Sequence, residues 1–289
     1  MNILNFGSLN LDHVYQVDHF VRPGETLSSG AYRLFCGGKG HNQSIALARA
    51  GAAVFHAGRV GAEGAPLLES LRGSGVDTRW IATIKNPTGH AIIQVNREGE
   101  NAIVLYGGAN RCLDEQGISK TLAAFAPGDL VLLQNEVNLV GHILQAARSR
   151  GLKLALNPAP MDPGVPGYPL EAVDVLFVNE IEGQELSGET SAEGILDALR
   201  GRFKDTEIIL TLGAEGAMAN GPRGRLRVPA QKVRAVDTTA AGDTLIGYYL
   251  AGWAQGLDAE ENLRRAVRAA TLCVTRAGAA DSIPYLKEL

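Results

Sequence analysis

A chain of 289 residues, 45% apolar and 20% charged, can bury a sizeable core and is not disordered; at about 150 residues per domain it makes one large domain, with or without a small appendage. Its 27 basic and 31 acidic residues leave a net charge of −4 with no Lys/Arg-rich run, which excludes nucleic-acid or membrane-surface binding driven by bulk charge. No run of 18 apolar residues is free of charge, Met1 to Phe6 form no basic leader, and the three cysteines are scattered, so a cytoplasmic protein with no membrane span is expected.

Glycine, 35 residues or roughly 12% against a usual ~7%, has no Gly-X-Y period and therefore supplies turns and close backbone approaches. Residues 3–7 read as a buried strand, with Asn10 and Asp12 just beyond it. Residues 13–34 have partly alternating polarity around Pro23-Gly24, and a glycine-rich loop then leads into a helix over 44–50. Residues 58–64 read as a turn, and 88–106 as a hairpin turning at 97–101. Buried strands follow at 130–134, 152–157, 173–178 and 207–212, alternating with helices over 140–149 and 192–200. Two further helices, 244–254 and 259–275, close the chain.

This β/α rhythm predicts an α/β fold, a mostly parallel sheet covered by helices on both faces. Ligands bind outside the carboxyl ends of such strands. Polar residues just past those ends are therefore the candidates: Asn10, Asp12, Glu136, Asn157, Asn179 and Glu180. The two irregular segments make either a small sheet beside the main one or two surface hairpins.

Three motifs could carry chemistry. Asp237-Thr238-Thr239-Ala240-Ala241-Gly242-Asp243-Thr244 precedes an apolar helix, and its small residues leave backbone N–H groups uncovered for an anion such as phosphate. Asp243 is a carboxylate placed beside that hole; a plain helix cap with an acidic first turn fits the same residues. Cys36-Gly37-Gly38-Lys39-Gly40-His41-Asn42 would let a ligand approach the backbone, or is a simple strand-to-helix turn. It is not a Walker loop, because Gly40 follows Lys39, nor G-x-G-x-x-G, because His41-Asn42-Gln43 follow Gly40. Thr211-Leu212-Gly213-Ala214-Glu215-Gly216 either cradles a nucleotide or turns into a hairpin ending near Asn220.

In their joint order these motifs resemble the ribokinase, or PfkB, family of carbohydrate kinases, from Gly7-Ser8-Leu9-Asn10-Leu11-Asp12 to Ser282-Ile283-Pro284. The most specific elements are Gly37-Gly38-Lys39-Gly40-His41-Asn42-Gln43, Asn157-Pro158-Ala159-Pro160, Asn179-Glu180 and the run from Asp237 to Thr244. The resemblance implies a main α/β domain of residues 1–12, 35–87 and 107–289. It also implies a β-sheet lid of 13–34 and 88–106, through which a homodimer forms. The implied activity is transfer of the γ-phosphoryl of ATP to the 5-hydroxyl of D-ribose. Another pentose or a nucleoside is the rival substrate, and a non-catalytic sugar-binding regulator the rival class.

By position, Asn10, Asp12, Gly38, Lys39, Asn42 and Glu136 match residues that hold the sugar hydroxyls, and Asp243 matches the catalytic base. Ala241 and Gly242 belong to its anion hole. Asn179, Thr211, Gly213 and Gly216 match nucleotide contacts, and Glu182 falls at the acidic position near magnesium and the phosphates. Asp237, Thr239, Cys273, Arg276, Gly278 and Ser282 match a potassium site contacted largely through backbone carbonyls. Departures are His41 and Leu11, which replace smaller residues near the sugar, Ile246 in place of a common Asn, and Val267-Arg268 where a polar residue often borders adenine.

Overall fold

In the computed structural model, which describes residues 1–222 and 224–289, the chain starts in the middle of its main sheet with β1 (Ile3–Phe6). It then leaves that sheet for β2 (Asn10–Gln16) and β3 (Ala31–Gly37), and returns through α1 (Lys39–Arg49), β4 (Val54–Val60), α2 (Ala65–Gly73) and β5 (Asp77–Thr83). A hairpin of β6 (Gly89–Val95) and β7 (Asn101–Tyr106) follows, then α3 (Glu115–Leu122), β8 (Leu130–Gln134), α4 (Val140–Ser149) and β9 (Lys153–Asn157). The remainder is β10 (Val175–Asn179), α5 (Glu180–Ser187), α6 (Ala192–Arg202), β11 (Glu207–Thr211), β12 (Ala217–Gly221), β13 (Gly224–Val228), α7 (Ala241–Ala254) and α8 (Ala259–Cys273).

Among the described residues nine strands form the main sheet in the order β13-β12-β11-β10-β9-β8-β1-β4-β5, parallel from β11 through β5 and antiparallel at β12 and β13. Strand alternation sends Ile3, Leu130 and Leu132 into one core with α1, α7 and α8. Leu4, Phe6, Val131 and Leu133 enter a second core with α3, α4 and α6 on the other face. Burial on both faces explains the near-continuous apolar runs of these strands. The expected α/β architecture is therefore present. No helix among the described residues is long and apolar enough to cross a membrane.

The irregular segments join in one four-stranded sheet, β3-β2-β6-β7, because β2 pairs with β6 in parallel. Its strands begin at Asn10 and end at Gly37, wider than residues 13–34 suggest, while 17–30 lie outside any strand. Residues 58–64, expected as a turn, are instead the end of β4 followed by a single 3-10 turn over Ala62–Gly64. The first helix begins at Lys39 rather than 44, since its buried face opens with His41, Asn42, Gln43 and Ser44, which apolar periodicity cannot see. Helix α7 likewise starts at Ala241, and the hairpin reading of 211–216 holds, with β12 antiparallel to β11.

Where β1 ends, the backbone of α1 crosses it with no room for a side chain. A Cβ on Gly7 would lie 2.5 Å from Gly40 Cα, and one on Gly40 would lie 2.5 Å from the Gly7 carbonyl carbon. Both contacts are with backbone, which cannot swing aside. Gly40→Ala should therefore lower stability by about 1–3 kcal/mol, the usual range for overpacking, in a urea-unfolding midpoint. Gly73→Ala, whose Cβ meets nothing within 4 Å, is the control and should show no such loss.

Candidate active site

In the main sheet β1 lies between β4, to which the chain runs first, and β8, which it reaches only after crossing back from β5, and this change of direction opens a crevice at the carboxyl end of β1. Ser8, just past β1, donates from Oγ to a carboxylate oxygen of Glu136, just past β8. The same oxygen accepts the backbone N–H of Lys39 at 3.0 Å, and Ser8 Oγ accepts that of Gly40 at 3.1 Å. Gly38 turns the chain into α1 with φ 94°, a conformation suited to glycine. Glu136 thus sits at the positive end of α1.

Asn10 is buried, and its Oδ1 accepts from Asn110 Nδ2 at 2.7 Å. Asn110 also takes the Leu9 N–H on its own Oδ1 at 2.9 Å, so its orientation is fixed by backbone. Asn10, Asn110, Arg111 and Glu136 line a cavity of about 140 Å³. Asp12 shares Asn10's face of β2, and a Cβ on Gly37 would fall on its carboxylate. Burial, with a smaller contribution from nearby Glu136, pushes the Asp12 carboxyl up from 3.8 to about 7.

A second cavity, of about 230 Å³, opens beside the start of α7 and is lined by Lys39, Asn157, Asn179, Glu182, Thr211 and Asp243, among others. Ala240 enters the helix with φ 61°, and no side chain caps it. Gly242 lines the cavity in a first turn whose N–H groups have no internal helical partner, the Ala241 N–H making only a long 3.3 Å bond to the Thr238 carbonyl. Asp243, only 8% exposed, accepts from Asn42 Nδ2 at 3.1 Å and from Gln43 Nε2 at 2.9 Å. Burial acts to lower the Lys39 pKa, but attraction by Asp243, Glu136 and Glu182 outweighs it and leaves the ammonium above its ordinary value.

Asn179 and Glu182 form a capping box at α5: Asn179 Oδ1 takes the Glu182 N–H at 2.8 Å, and Glu182 Oε2 takes the Asn179 N–H at 3.0 Å. Burial raises the Glu182 carboxyl despite that bond and the nearby Lys39. Gly213 and Gly216 lie in the turn after β11, off the walls of this cavity. Gly216 is required there by φ 99° and by the Ala230 nitrogen, 2.6 Å from where a Cβ would stand.

The expected cation residues also meet. Asp237 accepts from the N–H groups of Thr239 at 2.9 Å and Gly278 at 3.0 Å, while Cys273 Sγ lies 3.0 Å from Ser282 Oγ. Burial raises the Asp237 carboxyl, but hydrogen bonds from the Thr239 side chain and from these N–H groups prevail and hold it below the usual range. The Arg276 side chain is the exception, donating to Glu288 at 2.7 Å. His41 is not beside the sugar-side cavity. It is fully buried, with Nε2 3.1 Å from Ser70 Oγ of α2, and burial pushes its pKa down to about 4. Leu11 points to the opposite face of β2 from Asp12 and enters the core. Ile246 lines the larger cavity, Val267 is in the core, and Arg268 is exposed.

Sequence reasoning missed Ser8, Gln43, Asn110 and Gln134 as members of this hydrogen-bonded framework. Ser8 and Gln43 stood inside motifs already noted; Asn110 carried only the signal of the Gly107-Gly108 pair before it.

A polar pocket and an open helix start with a buried carboxylate in its first turn, past the carboxyl ends of a doubly covered parallel sheet, define the class: a phosphotransferase for a small polyhydroxylated acceptor. The chain belongs to the pfkB family of carbohydrate kinases, whose model matches residues 2–286. It is 37% identical over 293 residues to the ribokinase of Haemophilus influenzae, covering 98% of this chain and 95% of that one. Among solved structures, ribokinase from Cryptococcus neoformans var. grubii serotype A in complex with ADP is similar at a TM-score of 0.89 and 34% identity, covering 99% and 98% of the two chains. Arabidopsis thaliana ribokinase complexed with ribose and ATP gives 0.89 at 28% identity, covering 99% and 96%.

The Asp12 shift has a sign that can be measured on the ligand-free protein. Unfolded, the carboxyl loses its proton near 3.8; folded, it keeps it to about 7, so the fold binds more protons in that window and loses stability as pH rises through it. Asp12→Asn removes that loss. Its melting temperature relative to the parent should be higher at pH 8 than at pH 4, and a gap independent of pH would contradict the assignment.

Proposed function

We propose that this chain transfers the γ-phosphoryl of ATP to the 5-hydroxyl of D-ribose. One observation carries the reading: Asp243 stands at an uncapped helix start and lines the cavity beside which the sugar-side residues gather. A sugar hydroxyl is a poor nucleophile at neutral pH, and its proton must leave as the bond to phosphorus forms. The Asp243 carboxylate takes that proton, and N–H groups of Ala241 and Gly242 hold the migrating phosphoryl. Asn10, Asp12, Lys39, Asn42 and Glu136 hold the hydroxyls, with Gly38 allowing close approach. Buried hydrogen bonds of this kind select a polar ligand strongly, because an analogue leaves them unpaired.

Asn179, Thr211, Gly213 and Gly216 lie on the nucleotide side of this arrangement. Magnesium would be held by the ATP phosphates with Glu182, a carboxylate on the wall of the cavity at the start of α7, nearby. Bound there, it neutralises charge on the phosphates. Potassium fits the loops of Asp237, Thr239, Cys273, Gly278 and Ser282, where Asp237 has N–H partners and, among the described residues, no cationic side chain bonded to it. The small sheet acts as a lid over the sugar. Ile103, 56% exposed, and Leu105, 49% exposed, share the face of Asp12, which supports a homodimer formed through it.

Two measurements test this. A coupled assay for ADP release over a panel of pentoses and nucleosides should give the highest kcat/KM for D-ribose; a nucleoside ahead of ribose would replace the substrate, and no release would leave a sugar-binding regulator. In the same assay Asp243→Asn should lower kcat by roughly 10²–10⁴ while ribose binding persists.

Potassium is probed separately by exchange for a large organic cation at constant ionic strength. A fixed charge beside the start of α7 orders the donors there, so turnover should fall. Unchanged turnover would remove the cation from the mechanism.

A further inference from the structure

Behind Asp243 runs a line of polar side chains that the proposed reaction does not use. Asn5, Gln43, Ser44, His56 and Gln134 all have no solvent exposure. By strand alternation Asn5, His56 and Gln134 share the face of β1, β4 and β8 that α1 covers, amid otherwise apolar residues. Their hydrogen bonds can be directed from one end. His56 Nε2 is 3.1 Å from the Gly7 carbonyl, which only accepts, so that nitrogen carries the hydrogen. Burial keeps the ring neutral, pushing its pKa down to about 3, so Nδ1 accepts from Ser44 Oγ at 2.8 Å. Ser44 Oγ in turn accepts from Asn5 Nδ2 at 2.9 Å, and Asn5 Oδ1 from Gln134 Nε2 at 3.0 Å.

The second N–H of Gln134 goes to Gln43 Oε1 at 2.7 Å, and Gln43 Nε2 then donates to Asp243 Oδ1 at 2.9 Å. Among the described residues Gln134 Oε1 is buried without a partner. The amide leaves its acceptor unused while both its donors are engaged, which marks the donors as the functional end. Turned over, Gln43 would set its carbonyl oxygen against the carboxylate and its N–H₂ against that of Gln134. Asn42 supplies a further donor from the same helix, while the charged groups Lys39 and Glu182 share the walls of the cavity with Asp243.

We propose that Gln134, held by the buried line to His56, fixes the amide of Gln43 so that its N–H₂ meets Asp243, making Gln43 and Gln134 positioning residues for the carboxylate. The proposal rests on Asp243 being the base. Held from the α1 side, the carboxylate keeps one aim at the acceptor hydroxyl.

The test is a double-mutant cycle on kcat with ribose and ATP, with melting temperatures and ribose KM measured for every variant. Gln43→Met should lower kcat roughly 10- to 100-fold, the scale of a misaimed catalytic group, with ribose KM within about twofold. Gln134→Glu, which keeps the shape but can donate at most one hydrogen, should release the Gln43 amide from its fixed orientation and lower kcat. In the Gln43→Met background the second change should add less than about twofold, because there is no longer an amide to orient. Losses that multiply, as independent packing defects do, would overturn the proposal; so would Gln134 variants with parental kcat. Should Gln134→Glu fail to fold, Gln134→Met runs the same cycle with a smaller first loss and the same non-additivity. Failure of the underlying reading looks different: Asp243→Asn would then retain turnover, whatever the cycle gives.

Discussion

The site depends on one close approach, that of the turn after β1 to the first turn of α1, where Gly7 and Gly40 leave backbone touching backbone. The contact sets how deep α1 sits over the sheet. From that depth follow the reach of the Lys39 N–H to Glu136 and the reach of Asn42 and Gln43 to Asp243 on α7. A methyl group on either glycine would separate the sugar-side residues from the carboxylate they serve.

Of the helix starts that converge on the crevice, those of α1 and α7 are treated differently. The start of α1 is neutralised by the protein's own Glu136, which takes the Lys39 N–H and the Ser8 hydroxyl. The start of α7 has no side-chain cap, so its dipole remains available to a visiting anion. The same contrast runs through the acids. Asp12 is held toward its neutral form by burial, whereas Lys39 is kept charged by Asp243, Glu136 and Glu182 around it. One anion position is filled by the chain and the other is left for phosphate.

The β/α rhythm was legible because five central strands are apolar runs ended by polar residues, and those ends are the site. What escaped has physical causes. Strand β4 carries His56 and Gly58 on its covered face, so it lacks the apolar signature of its neighbours. Helix α1 buries a polar face, which periodicity reads as loop. Asn10 and Asp12 could be found from their place beyond β1, but Asn110, which aims Asn10, comes from a segment 100 residues away, and no local pattern joins the two. His41 stands between Gly40 and Asn42 in the same motif, yet one step along the helix turns its ring to Ser70 on α2, which the sequence does not show.

The parallel pairing of β2 with β6 also bears on how the chain folds. It brings Asn10 against Gly89, so forming it from an open chain closes a loop that contains α1, β4, α2 and β5. Closure entropy grows with loop length, and packing β4 and β5 onto β1 first shortens the effective loop to a few connecting residues. On that route the small sheet forms after the central strands, and Ile92, Ile103, Val104 and Leu105 stay exposed on it even once it has formed. The apolar surface of the small sheet is thus open to other chains during synthesis and in the finished molecule alike.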